Sequence, residues 1–365
     1  MGSTFYQAFK QKNLIWRSML GRPEVTGIGV GFADPNRPAK GAAIIVYTAK
    51  KMSAATKSGL YEVTGKLSKT SSVPFRVIMT GKFRESAATP TQTGPRDRWR
   101  PIPGGVSVGT SVPTSASGTG GLIVIKNGTL YILSNAHVLV PDNTTQFHNT
   151  LQPSPAEGGR STDQIGRAFQ FVSRSTTSAN FQDSAIAIAN SNNLLNPRYL
   201  INEQGSLITV PGHLLSYRVG MTFKKMGSTS GFGRGVVEAI GVERMVSGSL
   251  GTLLYRDQTV VRFTQNRSRP GDSGSVWLND SSDRLNNYAA AVHFASPSDG
   301  SRSICFPIER AMRTYETLVA IPAGAGRFKA GAIGGRAPRN NYAYVRPLTR
   351  KQLSLTRVIN VKRKK

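Results

Sequence analysis

The chain of 365 residues has one cysteine, Cys305, so no disulfide can form within it. That suits a reducing compartment. Cys305 stands in SICFP with no histidine or acid beside it, which points to a buried structural thiol. Nowhere do about 18 apolar residues run together, so no membrane-spanning helix is expected. The opening residues MGSTFYQAFKQKNLIWRSML lack the apolar core of a secretory signal, and a cytoplasmic location is the expectation. The spacing of Phe5, Phe9, Leu14, Trp16 and Leu20 reads instead as a short amphipathic segment. Histidine is also scarce. The four present, with the one cysteine, give no metal-ligand spacing, and no metal or other cofactor is expected. GIGVG follows a strand-like run but lacks the helix and acid that a nucleotide loop needs.

Acidic residues are few and unevenly spread. The net charge is +28, made of +12 over residues 1–100, +4 over 101–320 and +12 over 321–365, where no acid occurs. The middle of the chain is therefore nearly balanced, and the flanks carry the charge. The last stretch, rich in Gly and Ala and ending in VKRKK, is expected to be a basic, disordered tail. Such flanks either attract polyanions nonspecifically or simply keep the chain solvated. No zinc-finger or RNA-recognition pattern points to specific nucleic-acid reading. The oligomeric state leaves no trace in the sequence.

Four regions follow from the patterning. Residues 1–85 read as a small α+β domain: two strands within VTGIGVGFADPNRPAKGAAIIVYT, a helix over 50–60 and a strand at VPFRVIMTG. Residues 86–105 form a linker rich in Pro, Gly and Thr. From Val106 to residue 320, short β-rich runs alternate with turns, among them GGLIVIK, TLYILSNA, DSAIAIA, TVVRFTQ and YAAAVHFA. Strands this short at such regular spacing indicate a mainly β barrel or sandwich. ERAMRTYETL is the one helix there, and the tail 321–365 follows.

GDSGS at 271–275 is the strongest local signal. A nucleophilic serine needs a tight turn that exposes its hydroxyl and aims successive backbone N–H groups at one spot. Gly271 permits that backbone, and the N–H groups of Gly271 and Ser273 then form an oxyanion hole. Ser273 needs a base. His148 lies in a polar loop and reads as a surface residue, and His213 follows Pro-Gly in a turn. His137 ends the apolar run YILSNAHVLV, a placement that brings imidazole to a barrel edge within reach of a hydroxyl from another strand, and it is read as the base. The base in turn needs an acceptor that fixes its tautomer. Asp183, at the head of DSAIAIA, is by itself most simply a turn residue; with the other two it becomes that acceptor.

The order His, Asp, Ser, with SNAHV and DSAIA, resembles the chymotrypsin/trypsin superfamily. RPIPGGVSVG, GTGGLIV, LYILSNAHVL, LQPSPAEGG and KMGSTSGFGRGVV together resemble a bacterial branch related to the plant narrow-leaf-type trypsin-like proteins. The resemblance implies two six-stranded antiparallel β-barrels, a His137–Asp183–Ser273 triad and a serine endopeptidase acting on protein or peptide substrates. It also matches Asp272 to the acid that pairs with a freshly cut N-terminus in zymogens. PGGVSVG lacks the usual Ile-Val, so an internal donor, an arginine for instance, is expected instead.

VHFAS resembles the Ile-His-Trp-Gly-Gly strand of glutamyl endopeptidases, which implies that His293, with Arg267 or Arg269 before the nucleophile, receives a substrate carboxylate. The plainer reading makes His293 a core residue beside Phe294 and leaves both arginines on the surface. A competing view of the whole chain is a catalytically weak or inactive protease-fold protein that works as a binding module or scaffold through its basic flanks.

Overall fold

The computed structural model describes residues 2–49, 73–85 and 94–364. The helix expected over 50–60 and the first part of the linker lie outside these residues. The chain is mainly β, built on two large sheets, most of whose pairings are antiparallel.

Strands Val106–Thr110, Ala116–Gly120, Leu122–Lys126, Thr129–Ser134, Asn149–Leu151, Gln164–Val172 and Ala185–Ala189 make the first barrel. Their inward side chains alternate, as a sheet packed on one face requires. Val106, Val108, Ile132, Ile186 and Phe171 are all buried in its core. The second barrel closes on itself. Thr222–Gly227 pairs with Val276–Asn279, which leads through Ala289–Pro297, Arg302–Pro307 and Gly251–Gln265 to Gly231–Gly248 and back to Thr222–Gly227. Every pairing in this six-stranded ring is antiparallel.

The strand Gly231–Gly248 is 18 residues long and serves two neighbours. Its first part closes the ring, while Ala239 to Arg244 pairs with Val25–Phe32. Ala42–Thr48 and Phe75–Met79 then extend the same sheet outward. The leading segment thus shares its sheet with the second barrel. Its helix, Phe5–Leu20, starts at a Thr4–Gln7 capping box. Ala8, Ile15 and Met19 are buried on one face, while Leu14 points outward at 64% exposure. Lys12 on that face reaches Glu243 at 2.8 Å, with both side chains 1% exposed. Arg244 lies between the rings of Tyr47 (4.9 Å) and Phe83 (3.2 Å).

Two regions depart from expectation. The end of the linker forms a strand, Ile102–Gly104, that runs parallel to Leu195–Leu200. The tail expected to be disordered is laid along both barrels. Ala332–Gly334 pairs with Gly212–Leu214, and Val358–Asn360 with Gln164–Val172. The physical reason is local. Sheet edges offer unpaired N–H and C=O groups, and Val345, Leu348 and Val361 each find a buried seat that the average composition of the tail conceals.

Candidate active site

His137 lies in a one-turn helix, Ala136–Leu139, directly after the strand Thr129–Ser134. Asp183 precedes the neighbouring strand, Ala185–Ala189, and is fully buried. One carboxylate oxygen accepts the backbone N–H groups of Ala136 (2.7 Å) and His137 (3.2 Å). The other lies 2.7 Å from His137 Nδ1. Asn135 Nδ2 donates to the Asp183 carbonyl at 2.6 Å, so side chain and backbone together dock this loop onto the helix turn. Burial by itself raises the Asp183 pKa. The adjacent His137, with which it shares a hydrogen bond, and the nearby Arg174 outweigh that and hold the carboxyl below its usual range. An ionised carboxylate only accepts, so Nδ1 carries the proton of the neutral ring and Nε2 is the basic nitrogen.

Ser273 lies within a turn in which Gly271 has φ +101° and Gly274 φ +96°, both in the region that favours glycine. A Cβ on Gly274 would meet the Thr119 carbonyl at 2.1 Å. The Gly271 carbonyl accepts the hydroxyls of Thr119 (2.9 Å) and Ser228 (2.8 Å), which fixes the peptide plane. The Gly274 N–H goes to the His293 carbonyl at 2.9 Å. Among the described residues, the N–H groups of Gly271 and Ser273 donate to no acceptor. Ser273 is buried, and its hydroxyl donates to the Phe294 carbonyl at 3.3 Å.

The two barrels bring these pieces together. The Thr119 N–H donates to the Ser273 carbonyl at 2.7 Å, and the Ser134 hydroxyl, just before the His137 turn, donates to the Thr119 carbonyl at 2.8 Å. Tyr255 bridges from the second barrel. Its hydroxyl lies 3.4 Å from the Asp183 carboxylate, and its ring lies 4.6 Å from that of Phe294, whose carbonyl takes the Ser273 hydroxyl. His137 opens onto a cleft of about 450 Å³, lined also by Ser115, Ser117, Asp142, Ser249 and Leu250.

Asp272 does find an internal donor, but it is a lysine and not an arginine. Lys225 Nζ lies 3.0 Å from Oδ2, and both side chains are fully buried. The N–H groups of Ser230 (2.9 Å) and Arg269 (3.1 Å) also reach this carboxylate. Burial raises the Asp272 pKa, but Lys225, His293 and the Ser230 contacts more than offset it, and the net direction is down.

The plainer reading of the pocket residues describes their placement best. His293 is fully buried, with Nε2 3.0 Å from the Ser268 hydroxyl and Nδ1 2.7 Å from the Ser303 hydroxyl. Burial, with Lys225 nearby, pushes its pKa down to about 3. Arg267 is exposed and donates to the Asp299 carbonyl at 3.2 Å; no hydrogen bond joins it to His293. Arg269 is likewise exposed.

His148, read from the sequence as a surface residue, is buried between the Asp142 carboxylate (2.6 Å) and the Gln146 carbonyl (2.7 Å). The loop folds back over its own histidine because Asp142 supplies a partner. His213 is also buried, within the short strand Gly212–Leu214, and burial takes its pKa down to about 4.

Lys225, Tyr255 and Ser268 escaped the sequence reading. Only Lys225 carried a signal. It falls two positions after Phe223 on a strand, hence on the inward face, and an inward lysine needs an anion.

No protein-family model matches the chain, and no curated protein matches it. Solved structures similar to it include a chymotrypsin from Cellulomonas bogoriensis, 19% identical over 60% of this chain and 97% of that one, with a TM-score of 0.41. A glutamic acid specific serine protease, described as using a histidine triad in substrate binding, is 21% identical over 60% of this chain and 100% of its own, with a TM-score of 0.43. Thermobifida fusca protease A is 16% identical over 63% of this chain and 99% of its own, also at 0.43.

Proposed function

We propose that the chain is a serine endopeptidase with Ser273 as nucleophile, His137 as general base and Asp183 as the residue that orients the base. The observation that carries this reading is the buried carboxylate of Asp183. It bonds His137 Nδ1 and the backbone of the same turn, which leaves Nε2 as the basic nitrogen of the ring.

In this mechanism the Ser273 hydroxyl rotates away from the Phe294 carbonyl and attacks the scissile carbonyl carbon. Its proton passes to His137 Nε2. The electron pair of the carbonyl moves onto oxygen, where the unengaged N–H groups of Gly271 and Ser273 receive the charge. The imidazolium, stabilised by Asp183, then gives its proton to the leaving amine as the C–N bond breaks. Water, activated by the same nitrogen, attacks the acyl-enzyme and restores Ser273.

A preference for cleavage after acidic residues is part of the proposal, in altered form. The direct contact is assigned to the Ser268 hydroxyl, with His293 and Ser303 behind it, and Arg267 has no part. Digestion of a peptide library tests this; cuts mainly after apolar or basic residues contradict it. The binding-module reading has one supporting observation, the buried state of Ser273. Turnover separates the two. The protease reading expects Ser273→Ala to lose about a million-fold in kcat, and equal cleavage by both proteins rejects it.

A further inference from the structure

We infer a second ligand site, between the leading segment and the second barrel, that takes a small phosphate monoester. A cleft of about 370 Å³ lies there, lined by Phe32, Pro35, Arg76, Arg218, Glu238 and Arg262 among others. It shares no lining residue with the cleft at His137.

The charge in this cleft does not balance. Among the described residues Glu238 is the one acid on its wall, and its side chain is 2% exposed. That carboxylate already holds Arg302 at 2.8 Å, Arg76 at 3.0 Å and the Tyr47 hydroxyl at 3.2 Å. Arg262 comes only to 3.7 Å. Arg218 donates to the neighbouring Val219 carbonyl at 3.3 Å and, among the described residues, to no acid. The nearby Asp34 is occupied by Lys40 at 3.1 Å. Among the described residues one carboxylate thus serves Arg302, Arg76 and Arg262, Arg218 lines the same cleft without an acid, and Arg218 and Arg262 keep unused donors. A guanidinium presents a planar fork of N–H groups, which fits two oxygens of a tetrahedral phosphate.

The remaining wall sets the rest of the ligand. Gly220, with φ +88°, lets the Phe32 ring pack closely on the backbone: a Cβ there would lie 3.1 Å from that ring and 3.8 Å from Arg218 Nη1. Ring and guanidinium are thus neighbours on the cleft wall, and Pro35, Pro38 and Val219 extend the apolar side. The volume exceeds what a bare phosphate fills. A monoester with a small flat group places its phosphate on the arginines and its body on Phe32.

Titration calorimetry on the full chain tests this with phenyl phosphate, inorganic phosphate and phenol. Phenyl phosphate is expected to bind more tightly than inorganic phosphate, and phenol not to bind. The double variant Arg218→Ala/Arg262→Ala should lose at least about tenfold in affinity for phenyl phosphate. Arg218→Gln serves as a second variant, because that exposed side chain holds only its neighbour's carbonyl; it should also weaken binding. Unchanged affinity in both variants, or no binding of phenyl phosphate to wild type at millimolar concentration, overturns the site. Phenyl phosphate binding no tighter than inorganic phosphate overturns the monoester assignment.

Discussion

Replacing Lys225 with methionine keeps the length of the side chain and removes its charge, leaving the Asp272 carboxylate fully buried without a cation. At 3.0 Å and an effective dielectric constant of about 20, the direct attraction is about 5.5 kcal/mol. Asp272 retains the N–H groups of Ser230, Thr229 and Arg269, which continue to hold part of its charge. The expected loss of stability is therefore about 3–5 kcal/mol, the range for breaking a buried pair from one side. The contacts of Lys225 with the rings of Phe263 (5.6 Å) and Trp277 (5.7 Å) change little in area, so charge dominates the result. Chemical denaturation of the full chain measures it. Because Asp272 lies between the two proposed oxyanion donors, kcat should fall with KM changing much less. Adding Asp272→Asn to Lys225→Met should restore part of the stability, since the uncompensated charge is then gone. A loss below about 1 kcal/mol for Lys225→Met, or a double variant no more stable than the single one, refutes the reasoning.

The remaining predictions concern the same region. Asp183→Asn should lower kcat by about ten-thousand-fold with little change in fold, because the amide no longer selects the Nδ1–H tautomer; steady-state kinetics and circular dichroism check both halves. The folded pKa of Asp272 is depressed, so its ionised form stabilises the fold above the ordinary carboxyl range, and that contribution is lost as pH falls through the folded value. The difference in melting temperature between wild type and Asp272→Asn should therefore shrink as pH is lowered from about 5 to about 2. Gly274→Ala should cost at least about 2 kcal/mol, since φ +96° and a carbonyl at 2.1 Å leave no place for a methyl group. Cys305 is fully buried and burial pushes its pKa up to about 12, so a thiol reagent at pH 8 should label it only after unfolding.

The order of strands was legible because each short apolar run between turns makes one strand, as LYILS, AIAIA and VVRFTQ do. The length of the hairpin Gly231–Gly248 and Gly251–Gln265 was not. Glu243 and Arg244 end the β-like run GVVEAIGVER, and nothing in that run shows that both are buried, by Lys12 of the distant helix and by the rings of Tyr47 and Phe83. No local window contains those partners. The tail was misjudged for the same reason, since the strands that receive it lie far away in sequence. At the site, GDSGS announced itself because a tight turn constrains several adjacent residues at once. Tyr255 and Ser268 did not, because a hydroxyl gains its meaning only from what faces it in space. His293 had two readings because its two serine partners, Ser268 and Ser303, are not adjacent to it in sequence.

Labelling with a fluorophosphonate probe tests the central claim most directly, because the reagent reacts only with a serine whose hydroxyl is activated and whose oxyanion site is formed. Peptide mapping of the labelled full chain should place the adduct on Ser273 alone, with labelling abolished in Ser273→Ala and strongly reduced in His137→Ala. Absence of labelling in the wild type, or equal labelling of wild type and Ser273→Ala, contradicts the account.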